Sequence, residues 1–161
     1  MIDTGKTHDR RKLRFDSIDA LLADVDGIVA ADKAGKLRRA GNWSAGQAFN
    51  HLASWINFAY EGFPMKTPWF IRLMLRWMKL KSYLTKAMDP GIKIPGSPNG
   101  TYATDPMSTD EGAKKYRQAL ARLKTREPAK FDSPAFGKLS DDDRIRLNLR
   151  HAELHLSFLR P

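Results

Sequence analysis

The sequence predicts an all-α protein, an up-down-down-up four-helix bundle with an extra amphipathic helix inserted between helices 2 and 3. Apolar residues recur at helical spacing in five stretches, and almost none alternate as they would in a strand. The connections between the four principal helices are short, long and short. At 161 residues the chain suits one domain. We therefore expect a polar N-terminal tail over residues 1–14 and a single bundle domain over residues 15–161.

Capping residues and apolar stripes define the first two helices. The first is expected over about residues 15–31, with Asp16 or Ser17 as its N-cap. The second begins at Ser44, where Gln47 three residues later completes a capping-box pattern, and a glycine and a proline end it. Both are predicted to place one apolar face in a core.

Three further helices follow in the sequence. The amphipathic stretch over residues 69–88 is too charged and too short to cross a bilayer, and residues 89–100 contain too much glycine and proline to continue it. The next helix is expected over about residues 108–126. The last opens at Ser140 with three aspartates in its first turn, where the helix dipole favours them.

The lengths of the connections predict how these helices run. Residues 32–43 and residues 127–139 are short enough to join antiparallel neighbours. Residues 63–107 are long enough to carry the chain back along the bundle. Bundle helices 2 and 3 can then run parallel, and the last helix runs opposite to the second.

Composition narrows the classes of function. The chain has 28 lysines and arginines and a net charge of +10, but these residues are scattered and match no nucleic-acid-binding motif. We expect no specific nucleic-acid partner. The absence of cysteine excludes disulfides, thiolate zinc sites and a cysteine nucleophile, so thiol chemistry would need an external thiol. The polar N-terminus lacks the apolar core of a secretory signal, which predicts a cytoplasmic protein.

The most informative spacing is that of two histidines in the last helix. His151 and His155 lie four residues apart, so both imidazoles project from one helix face, as in a bidentate metal clamp. His51 lies two turns into the second helix, and the predicted topology brings it to the same end of the bundle. Three neutral imidazoles from two helices leave coordination positions free, which is typical of catalytic metal sites.

Plainer interpretations of these histidines stay open. Histidine pairs at this spacing are common on helix surfaces, and a lone histidine on an apolar face is more often a satisfied core residue. The pair shares a stripe with Leu147, Leu154 and Phe158, which predicts burial, and a buried imidazole without partners costs about 1–3 kcal/mol. His8 lies in the polar tail, where solvation is expected.

Several segments of the chain resemble one family. They are Gly-Asn-Trp-Ser-Ala-Gly-Gln-Ala-Phe-Asn-His-Leu-Ala at 41–53, Gly-Phe-Pro at 62–64, Pro-Gly-Ile-Lys-Ile-Pro at 90–95, Pro-Ala-Phe-Gly-Lys-Leu at 134–139 and His-Ala-Glu-Leu-His-Leu at 151–156. In these segments the chain resembles the DinB/YfiT-like superfamily, in particular a bacterial branch of unknown function. The resemblance covers most of the chain from about residue 16 onward.

The resemblance implies a fold, a cofactor and a partner. The fold is an up-down-down-up four-helix bundle, often a homodimer. The cofactor is a divalent metal ion such as zinc, nickel, iron or manganese, bound by His51, His151 and His155. Characterised relatives include thiol-dependent transferases and isomerases, so the partner implied is a small-molecule substrate or a low-molecular-weight thiol.

Two functions from different classes follow from these patterns. The first is a metal-dependent enzyme of the thiol-dependent transferase or hydrolase type, in which Gln47 and Asn148 orient an imidazole or a bound water. Three aromatic side chains are candidates for the pocket wall, although core packing is the commoner role of such residues: Trp43, Trp55 and Phe58.

The alternative is a non-catalytic helical binding module with a basic surface that contacts an anionic partner or a membrane surface. The inserted helix motivates it, because Arg72, Arg76 and Lys79 fall on one side with Trp69 and Trp77 nearby. Such a stripe is more often the solvated face of a helix that packs on a bundle with its other side.

Overall fold

Helices account for most of the described residues, 2–161, of this computed structural model. The α-helices are α1 (Ile18–Lys33), α2 (Ala45–Glu61), α3 (Trp69–Thr85), α4 (Thr109–Lys124) and α5 (Asp141–Leu156). Two single-turn 3-10 helices cover Thr4–Lys6 and Pro98–Gly100, and two-residue strands β1 (Arg38–Arg39) and β2 (Leu159–Arg160) pair antiparallel. The predicted helical class is confirmed, whereas the small ribbon that joins the chain's C-terminus to the α1–α2 connection was not expected.

Serine caps start four of the helices. In each, the serine hydroxyl accepts a hydrogen bond from the backbone N–H three residues later; the four are Ser17, Ser44, Ser108 and Ser140. Gln47 and Glu111 complete capping boxes by accepting from the cap residue's own N–H. These short-range signals explain why the helix starts agree with the sequence pattern, because a cap needs only its own turn of chain.

The core lies where α2 meets the other helices. Its largest fully buried side chains come from four helices and the C-terminal strand: Leu21, Val25, Ile28, Phe49, Leu52, Ile56, Tyr116, Leu120, Leu156 and Leu159. Each contributes on the order of 1.5–3 kcal/mol by leaving water, so this cluster supplies the main driving force for folding. The helix that carries His51 is therefore held on several sides.

Polar contacts show how α4 lies beside α2. The Lys115 ammonium donates to Asn50 Oδ1 at 2.7 Å and to Ser54 Oγ at 3.0 Å, and the Arg122 guanidinium donates to Asn57 Oδ1 at 3.1 Å. Residues in the first half of α4 thus contact residues in the first half of α2, and residues near the end of α4 contact residues in the second half of α2.

Two glycines bring the starts of these helices into near contact. A Cβ on Gly46 would lie 2.0 Å from the carbonyl oxygen of Met107, and one on Gly112 would lie 2.7 Å from the carbonyl oxygen of Gly46. Any larger residue would force the backbones apart. The close approach holds the segment that precedes α4 against the first turns of α2.

The residues before α1 are tied to α5. The Phe15 N–H donates to Glu153 Oε1 at 2.6 Å, and its carbonyl accepts from Arg150. Arg150 and Glu153 are both buried and pair at 3.0 Å, and burial raises the pKa of Glu153. A buried ion pair of this kind is costly to break, because the remaining charge is left without a partner. It therefore fixes where the chain enters α1.

The helix α3 differs from the others in that the structure buries none of its residues. It is held to the body by Arg76, whose Nη1 donates to the carbonyls of Phe136 at 2.8 Å and Lys138 at 2.7 Å. Tyr83 adds an edge contact with the Phe136 ring at 5.7 Å between centroids. Across residues 2–161, no helix has the length and apolar character needed to cross a membrane.

Candidate metal centre

Three of the four histidines meet between α2 and α5. His51 projects from the second turn of α2, and His151 and His155 project from the last turns of α5. One ring nitrogen from each lies within 4.8 Å of the others. His8 is exposed and takes no part. The predicted convergence of the three imidazoles at one place is confirmed.

The separations between the ring nitrogens suit a shared ion. His151 Nε2 lies 3.3 Å from His51 Nε2 and 3.0 Å from His155 Nε2. Two imidazoles on one zinc ion at about 2.0–2.1 Å are separated by about 3.3 Å when the geometry is tetrahedral. The three rings meet edge-on, with interplanar angles of 63–80°, and are not stacked on one another.

A backbone carbonyl sets the tautomer of His51. Its Nδ1 lies 2.8 Å from the carbonyl oxygen of Tyr102, an atom that can only accept. The proton of the neutral ring therefore sits on Nδ1, and Nε2 keeps its lone pair for a metal. Metal-binding histidines commonly donate their second nitrogen in this way, which orients the ring and raises its basicity as a ligand.

Burial keeps the imidazoles neutral. It lowers the pKa of His51 from 6.5 to about 4, although the hydrogen bond to the Tyr102 carbonyl opposes the shift. The pKa values of His151 and His155 are also lowered, by burial first and by the neighbouring histidines second. A protonated imidazole cannot bind a metal, so the site is in its ligand form at neutral pH.

Two tryptophans enclose the histidines. The Trp43 indole stacks on His155 with 5.0 Å between centroids and 10° between planes, and it tilts against His51 at 4.9 Å. Trp55 meets His151 edge-on at 5.9 Å and in turn contacts Phe58. Of the three aromatic residues predicted from the sequence to lie at the site, Trp43 and Trp55 contact the imidazoles directly, while Phe58 contacts Trp55.

The histidine face of α5 is more open than the sequence suggested. Leu147, Leu154 and Phe158 are only partly buried, as are His151 and His155. The core face is instead the stripe of Leu149, Ala152 and Leu156. The histidine stripe is therefore half-buried at the edge of the core and not in its centre, because two adjacent faces of α5 carry apolar residues and the spacing alone does not say which one meets the core. His51, by contrast, is fully buried.

Gln47 and Asn148 do not make the predicted hydrogen bond to an imidazole. Gln47 completes the cap of α2 and donates from Nε2 to the Thr104 carbonyl at 3.1 Å. Asn148 donates to the Arg144 carbonyl within its own helix at 2.8 Å. Gln47 acts one step away, because it holds the segment whose Tyr102 carbonyl orients His51.

Sequence reasoning missed that carbonyl. Tyr102 contributes a backbone oxygen, so its side-chain identity carries no signal, and it lies in an irregular connection. The glycines at 46 and 112 were the available clue, since small residues near two helix starts indicate a close approach of backbones.

The chain was compared with known families, curated proteins and solved structures. No curated protein and no solved structure matches it. Residues 7–161 match one sequence family over nearly the whole length of the chain, the histidines and their supporting segment included. The chain therefore belongs to the family described as a protein of unknown function, DUF1569.

Proposed function

We propose that this protein binds a divalent metal ion through His51, His151 and His155 and uses it as an enzyme of the DinB/YfiT-like type. The observation that carries the proposal is the meeting of three Nε2 atoms, with 3.3 Å and 3.0 Å separating His151 from its two partners. A single N–H on His151 Nε2 can be donated well to only one of its two partners at a time, whereas a metal ion accepts a lone pair from all three nitrogens at once.

The directions of the helices support the resemblance to that superfamily. The ion pair between Asp19 and Lys124 joins the start of α1 to the end of α4. The ion pair between Lys33 and Asp110 joins the end of α1 to the start of α4. Together with the same-end contacts of α2 and α4 and the histidine contacts of α2 and α5, they favour an up-down-down-up bundle, with α3 as the inserted helix. We propose this topology for the family member described here.

The surroundings of the site favour catalysis over a closed structural role. A structural zinc site is usually four-coordinate with protein ligands only, whereas three ligands beside a partly exposed face leave room for a substrate. When bound there, a divalent ion would polarise a substrate oxygen or lower the pKa of a water or thiol. Because the chain has no cysteine, a thiol would come from solution.

The protein's own groups would then orient the reactants. The Tyr102 carbonyl fixes the His51 ring, and the Trp43 indole fixes His155 by stacking on it. Trp43 and Trp55 would exclude water from one side of the site. The substrate class we propose is a small molecule attacked by a low-molecular-weight thiol or by water, as in a transferase or a hydrolase.

Elemental analysis tests the metal directly. Protein purified without an affinity tag and loaded with zinc should hold about one ion per chain, and His51→Ala and His155→Ala should each lose affinity by tenfold or more, because a ligand is removed. His8→Ala is the matched control, since His8 is exposed and is not one of the three clustered histidines. Absence of bound metal after reconstitution would refute the proposal.

A cobalt-substituted sample separates thiol from water chemistry. If an added low-molecular-weight thiol binds as a ligand, a sulfur-to-cobalt charge-transfer band should appear in the ultraviolet and should be absent in His151→Ala. A site that binds cobalt without responding to any thiol would leave hydrolysis as the reaction type and exclude the thiol-dependent one.

A further inference from the structure

A row of large apolar side chains on α3 faces solvent. Trp69 is 70% exposed, Trp77 is 87% exposed and Met78 is 67% exposed. Phe70, Leu73 and Met74 are each more than half exposed and fill the positions between them. Residues at this spacing form one continuous face of a helix about two and a half turns long. We call these six residues the α3 apolar face.

The expected arrangement of α3 is thereby reversed. The sequence suggested that the basic side faces outward and the apolar side packs on the body. Instead, Arg76 is turned inward by its bonds to the Phe136 and Lys138 carbonyls, and the apolar side is left in water. Contiguous exposed apolar surface of this size marks an interaction site in most proteins.

The charges around this face indicate what covers it. The segment from Gly62 to Met88 contains no acidic residue and six basic ones: Lys66, Arg72, Arg76, Lys79, Lys81 and Lys86. Within residues 2–161, no carboxylate lies in salt-bridge range of any of the six. A second copy docked symmetrically on this face would set like charges against each other, which disfavours self-association here.

A cleft beside the face adds a place for an anionic group. It has a volume of about 390 Å³ and lies between α3 and Arg146 of α5. Arg76, Lys81 and Arg146 supply its positive charge, and Leu80 and Leu84 supply an apolar wall. A phosphate that carries hydrocarbon chains would meet both kinds of surface at once.

We propose that α3 docks this protein on an anionic phospholipid bilayer. The helix lies in the plane of the membrane surface, its apolar face enters the boundary between headgroups and acyl chains, and Lys81, one turn after Trp77 on that face, contacts anionic headgroups. The phosphate of one headgroup occupies the cleft at Lys81 and Arg146. This binding is independent of the metal proposal, because it uses none of the histidines.

Vesicle co-sedimentation tests the inference. The full-length protein should sediment with vesicles of phosphatidylcholine containing about one third phosphatidylglycerol, should stay in solution with phosphatidylcholine alone, and should dissociate as salt is raised. Trp69→Ser with Trp77→Ser should weaken binding by about tenfold or more, since two interfacial anchors are lost. Ile92→Ser, which is 61% exposed but lies outside α3, is the control and should bind normally.

Two double variants test whether binding to the vesicles requires the positive charge beside the apolar face. Lys81→Gln with Arg146→Gln should weaken binding by about tenfold or more, whereas Lys36→Gln with Lys114→Gln, exposed lysines elsewhere, should have little effect. Equal loss in both pairs, or no sedimentation of the unaltered protein with anionic vesicles, would overturn the proposal. So would a solution dimer that Trp77→Ser dissociates. His151→Ala should bind vesicles as the unaltered protein does.

Discussion

The helices α2 and α3 have the same length, 17 residues, and comparable amphipathic patterns, yet the structure treats them in opposite ways. Most of α2 is buried, including its polar residues Asn50, His51 and Ser54. None of α3 is buried. The difference shows that an amphipathic pattern predicts a helix with an apolar face but does not say whether that face meets the protein's own core or something else.

Charge explains part of the contrast. Glu61 at its end is the only charged residue of α2, so the helix can be surrounded without leaving ions in the core. Four cations are spread along α3, and only Arg76 finds carbonyl partners on the body. A helix with α3's composition keeps at least one side in contact with water or with anions.

The largest effect is expected from truncating an aromatic residue in each helix. Phe49→Ala should lower the free energy of unfolding by about 3–5 kcal/mol, because Phe49 is fully buried and its loss leaves a cavity. Trp77→Ala should change it by less than about 0.5 kcal/mol, since its ring is 87% exposed. Urea denaturation measures both. Similar losses in the two variants would mean that α3 is covered in the folded monomer.

The next largest effect is the loss of stability at low pH that the buried His51 should cause. In folded, metal-free protein the pKa of His51 is about 4, while in the unfolded chain it is 6.5. The unfolded state therefore binds more protons between these values, and stability falls as pH is lowered from 6.5 to 4. For His51 alone the loss approaches about 3 kcal/mol at the lower limit.

Denaturation in the presence of a chelator checks this pH dependence. The loss should be smaller in His51→Asn and unchanged in His8→Asn, because His8 is exposed in the folded protein. Stability that is constant from pH 6.5 to 4 would show that the three imidazoles are not held neutral by burial.

A smaller effect is expected where α2 approaches α4. Gly46→Ala should cost about 1–3 kcal/mol, because the new Cβ would lie 2.0 Å from the Met107 carbonyl oxygen and the backbones must separate. Gly27→Ala in α1 has open space around it and should stabilise the protein by about 0.5–1 kcal/mol. The midpoint of thermal unfolding should fall in Gly46→Ala and rise in Gly27→Ala. Equal changes of the midpoint in the two variants would contradict the close approach of the helices.

The smallest effect should come from the anchor of α3. Arg76→Ala removes two hydrogen bonds to carbonyls and should cost about 1 kcal/mol of global stability. Its local effect should be clearer, with faster amide hydrogen exchange across α3 and unchanged exchange in α2. Unchanged exchange in α3 would show that other contacts hold the helix in place.

The sequence allowed the local parts of this structure to be predicted and left open the parts that depend on distant neighbours. The caps at Ser17, Ser44, Ser108 and Ser140 were recognisable because each cap acts within one turn. The meeting of three histidines could be predicted from the spacing of His151 and His155 and the order of the helices. The serine caps and the histidine spacing could both be recognised because they depend on how far apart residues lie along the chain.

The rest depended on information that residue types do not carry. The carbonyl of Tyr102 is a backbone atom, so no side chain signals its role beside His51. The orientation of α3 depends on Arg76 finding two free carbonyls more than 50 residues away. The pairing of β1 with β2 involves only two residues in each strand, too few to produce a recognisable alternation.

The central claim is that three imidazoles hold one metal ion, and X-ray absorption spectroscopy of the zinc-loaded protein tests it most directly. We expect nitrogen ligands at about 2.0–2.1 Å with the multiple-scattering signature of three imidazoles, reduced to two in His155→Ala and still three in His8→Ala. A spectrum without imidazole scattering, or one that His155→Ala leaves unchanged, would contradict it.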